Sequence, residues 1–274
     1  MPIIILSSDI MEEEKEIAEK IVRENGYRPL NRDILPEIEA KYHIDSGKLA
    51  ETLDTVPSFL KQIVSNQWKY RLACIEAEVL TRLMEDNTVC WGLSAHLYVL
   101  GISHALKARV IGHEKQEKIT DMQNMRMKKA EKILDMEQAK RKKWSLAAYN
   151  RDDSDPALYD LIINLNQIDR GEAVYSIISA SGYRKFQPIT YSTKCLADLA
   201  LAAKVRTSLL KSAPDVDVQA RDGTVLVYTK AFKQNKLEKI KQIKELAGQI
   251  EGVGCVEVHV TKNLFGDKGI SANQ

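Results

Sequence analysis

The sequence predicts an α/β protein: a parallel sheet flanked by helices, followed by a small α+β unit. Three observations carry that expectation. Short β-branched apolar runs at Ile3–Leu6, Thr88–Trp91, Lys107–Ile111 and Tyr159–Asn164 are each separated by helical patterning. Such runs suit strands buried on both faces, as in a parallel sheet. After about residue 185 the pattern changes to helix, strand, strand, helix, strand in about 70 residues.

Ile3–Leu6 is the first predicted strand. A helix over 11–24 follows, with Ile17, Ile21 and Val22 on one stripe and Glu12–Glu14 in the first turn, where the helix dipole favours anions. Asn25-Gly26 supplies a left-handed cap. Residues 33–86 read as mostly helical, and Leu72, Ile75, Val79 and Leu83 form the stripe of the last helix. Thr88–Trp91 is the second strand, ended by Gly92, and Lys107–Ile111 the third. From Glu114 to Tyr149 the sequence is helical and polar, ending in the basic run Lys140-Arg141-Lys142-Lys143. Asp152–Pro156 is a loop, Tyr159–Asn164 a buried strand and Gly171–Ser181 a helix.

Beyond this, Thr193–Leu210 reads as a striped helix and Asp215–Ala220 as a strand. Asp222-Gly223 makes a hairpin turn, because those residues accept the positive φ such turns demand. Thr224–Thr229 pairs back. Leu237, Ile240, Ile243, Ala247 and Ile250 stripe a lysine-rich helix, and Val256–Val260 is the last strand. The expected division is 1–190, 191–262 and a frayed tail, 263–274.

The bulk numbers exclude several classes. The chain has 274 residues, is 44% hydrophobic and 28% charged, and carries a net charge of +2. That is enough apolar material for a core and too little net charge for a nucleic-acid footprint. Cys74, Cys90, Cys195 and Cys255 are too scattered for a zinc site and read as reduced thiols. The initial apolar run is too short for a signal peptide, and no run approaches the ~20 residues of a membrane span. The expected location is the cytoplasm. The histidines at 43, 96, 104, 113 and 259 show no ligand spacing, so neither a metal site nor a catalytic triad is assigned. Trp68, Trp91 and Trp144 are expected in the core.

Four stretches carry a family likeness. They are Asn25-Gly26-Tyr27 with Asn31-Arg32-Asp33-Ile34, the strand from Val89 to Gly92, Arg109-Val110-Ile111, and Asp155-Pro156-Ala157-Leu158-Tyr159-Asp160-Leu161-Ile162-Ile163-Asn164. Through them residues 3–164 resemble the cytidylate kinase-like branch of the P-loop nucleoside monophosphate kinases. The segment 195–261 resembles a BON domain, on Asp222-Gly223 and Ile250-Glu251-Gly252-Val253. That likeness implies a module that binds a protein partner, a lipid surface or a small ligand.

The departures are as informative as the likeness. A phosphate-binding loop needs glycines for close backbone approach, a lysine for the β/γ charge and a hydroxyl for magnesium. The stretch Ser7-Ser8-Asp9-Ile10-Met11-Glu12-Glu13-Glu14-Lys15 has no glycine. It sets Asp9 and three glutamates where a polyanion would sit, and Lys15 reads as a surface lysine. Gly92-Leu93 stands where the family has Gly-Arg, and Gln116-Glu117 where it has an arginine.

The resemblance implies that Arg32 belongs to a monophosphate region and that Lys140 and Arg141 belong to a basic lid. Asp160 lies at the start of the last strand of the sheet. Local pairing of Arg32 with Asp33 or a glutamate, a solvated face for the basic run, and local capping by Asp160 stand beside those roles. The expected function is a catalytically degenerate sensor or scaffold that takes a nucleoside monophosphate as ligand or serves as a docking surface. It needs no cofactor; magnesium and ATP enter only if the chain is an active CMP kinase with an unusual ATP site. A structural homo-oligomer is the third reading.

Overall fold

The computed structural model describes residues 2–57, 66–112, 136–230 and 235–261. The chain divides into two compact units, 1–197 and 198–274.

The first unit is built on five strands: β1 (Ile3–Ser8), β2 (Arg28–Leu30), β3 (Thr88–Cys90), β4 (Ala105–Ile111) and β5 (Leu161–Asn164). Their order is β2-β3-β1-β4-β5, and every pairing is parallel. β1 therefore lies in the middle, and all six of its residues are buried. Its β-branched run is the sequence signature of that position. The chain leaves β1 for one side of the sheet and crosses to the other at β4. A crevice at the carboxyl ends of the strands is the usual consequence of such a reversal.

Helices α1 (Met11–Asn25), α2 (Leu35–Tyr42), α3 (Ser46–Asp54) and α4 (Asn66–Leu83) follow the first two strands. Gly26 closes α1 in the left-handed conformation, φ 68°. Helix α5 (136–149) precedes β5, and α6 (Arg170–Ser181) follows it. Ile17 and Ile21 of α1, Val174 and Ile177 of α6, and Ile4, Val89 and Leu106 of the sheet form one buried cluster.

The second unit takes the carboxyl-terminal part of α7 (Thr190–Leu209), then β6 (Asp217–Arg221), β7 (Thr224–Lys230), α8 (Lys236–Gly248) and β8 (Cys255–Thr261). β6 and β7 are antiparallel, joined by Asp222 and Gly223 with φ of 48° and 78°. β8 lies parallel to β7. Val225, Val227, Ile243 and Ala247 are buried.

Three expectations need correction. β2 is a strand that the pattern did not reveal: it has three residues and contains Pro29, which an edge strand tolerates. β5 is an edge strand rather than a doubly buried one, and Ile162 is 41% exposed. Leu237 lies at the start of α8 and is 83% exposed, so it does not belong to the buried stripe. Residues 114–135 and the tail, 263–274, lie outside the described residues. All three tryptophans are buried, as expected.

Candidate functional site

The carboxyl ends of β1 and β3 open into a cleft of about 440 Å³. That is the size range of small-ligand sites. Ser7 and Asp9 line it from β1 and its exit. Glu12 and Glu14 line it from α1, Leu53 and Asp54 from the end of α3, and Gly92, Ser94 and His96 from beyond β3. Arg32, Asp153 and the α5 residues Glu137, Lys140, Arg141 and Trp144 complete the wall.

Beneath the cleft lies a buried polar network. Arg109 sits inside β4, in register with Ser7. It donates to the Asp9 carboxylate, to Asp153 Oδ2 at 3.1 Å, to the Asp153 carbonyl at 2.9 Å and to Tyr159 Oη at 2.7 Å. These carboxylates hold its guanidinium firmly charged although burial opposes it. Asp153 also accepts from Arg141 Nη2 and from His96 Nε2, at 2.6 Å in the latter case. Burial alone would raise the Asp153 carboxyl. The hydrogen bond from His96 and the charges of Arg141 and Arg109 reverse this and hold it well below the ordinary range. Because Asp153 is a carboxylate, Nε2 carries the His96 proton. Burial lowers the His96 pKa and keeps the ring neutral.

Gly92 joins the two walls. Its N–H donates to Glu14 Oε1 at 2.9 Å, and its carbonyl accepts from Arg32 Nε at 3.0 Å. Its φ is 69°, a conformation that glycine adopts without strain. Glu14 is 6% exposed, and burial pushes its carboxyl up to about 7 against the pull of Arg141 and Arg32.

Helix α5 roofs the cleft. Trp144 Nε1 donates to the Thr52 carbonyl at 2.8 Å, and Arg141 donates to the Ser8 carbonyl and to Ser7 Oγ. These bonds pin the helix both to α3 and to the end of β1.

The structure thus brings Arg32, Lys140, Arg141, Ser7 and Asp9 to one cleft. Each of its cations faces a carboxylate. Arg32 binds Asp54 through two hydrogen bonds of 2.9 and 2.6 Å, Lys140 pairs with Glu137, and Arg141 with Asp153. Arg32 therefore pairs neither with Asp33 nor with a glutamate. Ser8 is buried beside the cleft and accepts from Ile10 N. Two residues lie away from it. Lys15 is an exposed lysine 3.8 Å from Glu19, and Asp160 accepts from the backbone N–H of Lys107 at 3.0 Å. Glu13 turns away as well, to pair with Arg170 of α6 at 2.7 Å. Only two of the three first-turn glutamates therefore face the cleft. Gln116 and Glu117 lie outside the described residues.

Glu14, His96, Arg109 and Asp153 were not singled out as site residues from the sequence. The signal for Arg109 was available, since an arginine inside an apolar strand requires a buried partner. His96 and Asp153 are 57 residues apart, and no local spacing joins them.

Residues 3–167, more than half of the chain, match the cytidylate kinase-like family. The chain belongs to the cytidylate kinase-like family. The cytidylate kinase-like region takes in the whole five-stranded sheet, the cleft and the buried network. An uncharacterized protein from Eubacterium ventriosum ATCC 27560 aligns with 66% of this chain and 97% of its own, at 14% identity and a TM-score of 0.42. No curated protein matches. Among the described residues no helix is long and apolar enough to cross a membrane, and no group of three or more ligating side chains could hold a metal ion.

Proposed function

We propose that this cytidylate kinase-like chain is catalytically degenerate and works as a ligand-binding sensor or scaffold. The observation that carries the reading is the Asp9–Arg109 pair at the exit of β1. In a phosphate-binding turn the backbone N–H groups must wrap a polyanion, and glycine makes the close approach feasible. Here the turn holds no glycine, and Asp9 sets its own carboxylate against the nearest buried cation.

The charge balance supports the same reading. Among the described residues, six carboxyl-bearing side chains line the cleft (Asp9, Glu12, Glu14, Asp54, Glu137 and Asp153) against three cations (Arg32, Lys140 and Arg141). Each like-charge approach to ~4 Å costs about 1 kcal/mol in water and ~4 kcal/mol near a protein surface. A triphosphate would meet several such approaches and, among the described residues lining the cleft, find each cation already paired with a carboxylate. Phosphoryl transfer depends on positioning and charge stabilisation, and this cleft supplies neither to a phosphate.

The second unit has the element order expected of a BON-like module, which we propose docks a partner or ligand in the cytoplasm. The test is a phosphoryl-transfer assay with ATP, magnesium and CMP. The reading requires no CDP above the uncatalysed background. Formation of CDP in proportion to protein concentration would overturn it.

A further inference from the structure

We infer that β8 is the docking edge of the second unit and that its partner is β8 of a second copy of this chain, paired antiparallel about a two-fold axis at Val258. The inference gives a partner to the docking role proposed for that unit and rests on that role. It is independent of the reading of the cleft.

The backbone of β8 leads to it. β8 pairs with β7 on one side, and among the described residues no strand lies on the other. The Cys255 N–H donates to the Gly223 carbonyl at 3.2 Å. In a parallel ladder every second residue turns its N–H and C=O to the same neighbour, so Glu257, His259 and Thr261 also face β7. The backbone groups of Val256, Val258 and Val260 therefore point to the open edge. Such a row is a template for another strand.

The side chains point to the same partner. Val256, Val258 and Val260 lie opposite Val225, Val227 and Thr229 of β7. The β7 residues are buried, whereas the three valines of β8 are half-buried. The apolar face of the sheet thus runs out at the edge, and a further strand would extend it. β6 forms the other edge, but Val218 there is already buried, so pairing at β6 would cover little apolar surface.

Centred on Val258, an antiparallel register keeps all seven residues of β8 paired. It sets Val256 against Val260 of the second copy through exchanged backbone hydrogen bonds. It sets Glu257 against His259 of the second copy in the non-hydrogen-bonded position, where side chains approach most closely. Glu257 and His259 stand 3.8 Å apart along the strand and are both exposed, so a carboxylate and a ring nitrogen are available on that face. The neighbouring registers that keep the same face are centred on Glu257 or His259. They place like groups opposite themselves and shorten the overlap. A two-fold axis also closes the pair, so the edge does not propagate into a fibre.

Sedimentation equilibrium of the full chain over a series of protein concentrations tests the inference. The mass should rise from 31.0 kDa toward twice that value. Val258→Pro removes the outward N–H at the centre of the edge and no donor to β7, a place where a strand tolerates proline. It should abolish the rise. Glu257→Lys, on the exposed face, should weaken the dimer on the order of tenfold through both cross-strand pairs, and adding His259→Glu should restore it. Thr261→Cys reports the register, because position 261 lies opposite the exposed Cys255 of the second copy. Oxidised glutathione should join those thiols into a covalent dimer and leave as reduced glutathione. Within one strand the two positions are about 20 Å apart and cannot bridge.

A chain that stays at 31.0 kDa overturns the inference. So does a dimer whose affinity is unchanged by Val258→Pro, or a Thr261→Cys chain that forms no covalent dimer. A monomer overturns the pairing and leaves the docking role of the unit standing, and a dimer that forms CDP contradicts only the non-catalytic reading.

Discussion

Arg109 reaches across from β4 to the Asp9 carboxylate, which stands one residue past the end of β1. Parallel register sets Arg109 beside Ser7, so the guanidinium lies next to the turn that leaves the central strand. Asp9→Ala removes one of its two acidic partners and leaves Asp153 and Tyr159 in place. The expected loss is about 1–3 kcal/mol, the cost of an imperfectly satisfied buried donor. Urea unfolding of the variant beside the parent chain measures it.

Asp153 has no such reserve. It serves His96, Arg109 and Arg141 together, and its side chain is 6% exposed. Asp153→Ala leaves the buried Arg109 guanidinium with Asp9 as its one acidic partner among the described residues and takes the carboxylate from His96 and Arg141 as well, and we expect a loss of about 3–5 kcal/mol. Its low carboxyl pKa adds a pH signature. A depressed folded-state pKa contributes stability above the unfolded value and loses it as pH falls. The parent chain should therefore lose more stability than the variant on acidification below about pH 4.

Glu14 carries the opposite sign. Its folded-state carboxyl lies at about 7, above the ordinary 4.5. Between those values the folded state binds more protons than the unfolded one, so stability falls as pH rises through the window. The accumulated cost is on the order of 3 kcal/mol above pH 7. Glu14→Gln removes the titration, so it should be more stable than the parent chain at pH 8 and nearly equal to it at pH 4. Denaturant midpoints at the two pH values decide the point.

Trp144 ties α5 to α3 through one hydrogen bond to the Thr52 carbonyl. Trp144→Phe keeps most of the apolar contact and deletes the donor. The expected cost is about 1 kcal/mol, rising toward ~3 kcal/mol if the Thr52 carbonyl finds no water. Thermal unfolding reports the cost.

The fold was legible where physics is local. The β-branched run of β1, the Asn25-Gly26 cap and the Asp222-Gly223 turn each state their conformation within a few residues. β2 was not legible, because three residues with a proline carry no periodicity. For the site, the sequence marked Arg32, Lys140 and Arg141 in one set and Ser7 and Asp9 in another; the structure lines one cleft with all five, and the sequence could not give their partners. Asp54 lies 22 residues from Arg32, and Asp153 lies 44 from Arg109. Such pairings are set by sheet order and helix packing, which no short window contains. Glu14 and Glu13 are neighbours in sequence, yet one faces Gly92 and the other Arg170.

The most direct test of the central claim is the thermal stability of the chain with and without ATP–magnesium. A ligand at 100 times its dissociation constant adds about 2.7 kcal/mol, a shift of several degrees for domains of this size. With Asp9 and Glu14 facing the cleft and its cations already paired, we predict no shift at millimolar ATP. A shift of several degrees would show that the cleft holds a triphosphate and would contradict the account.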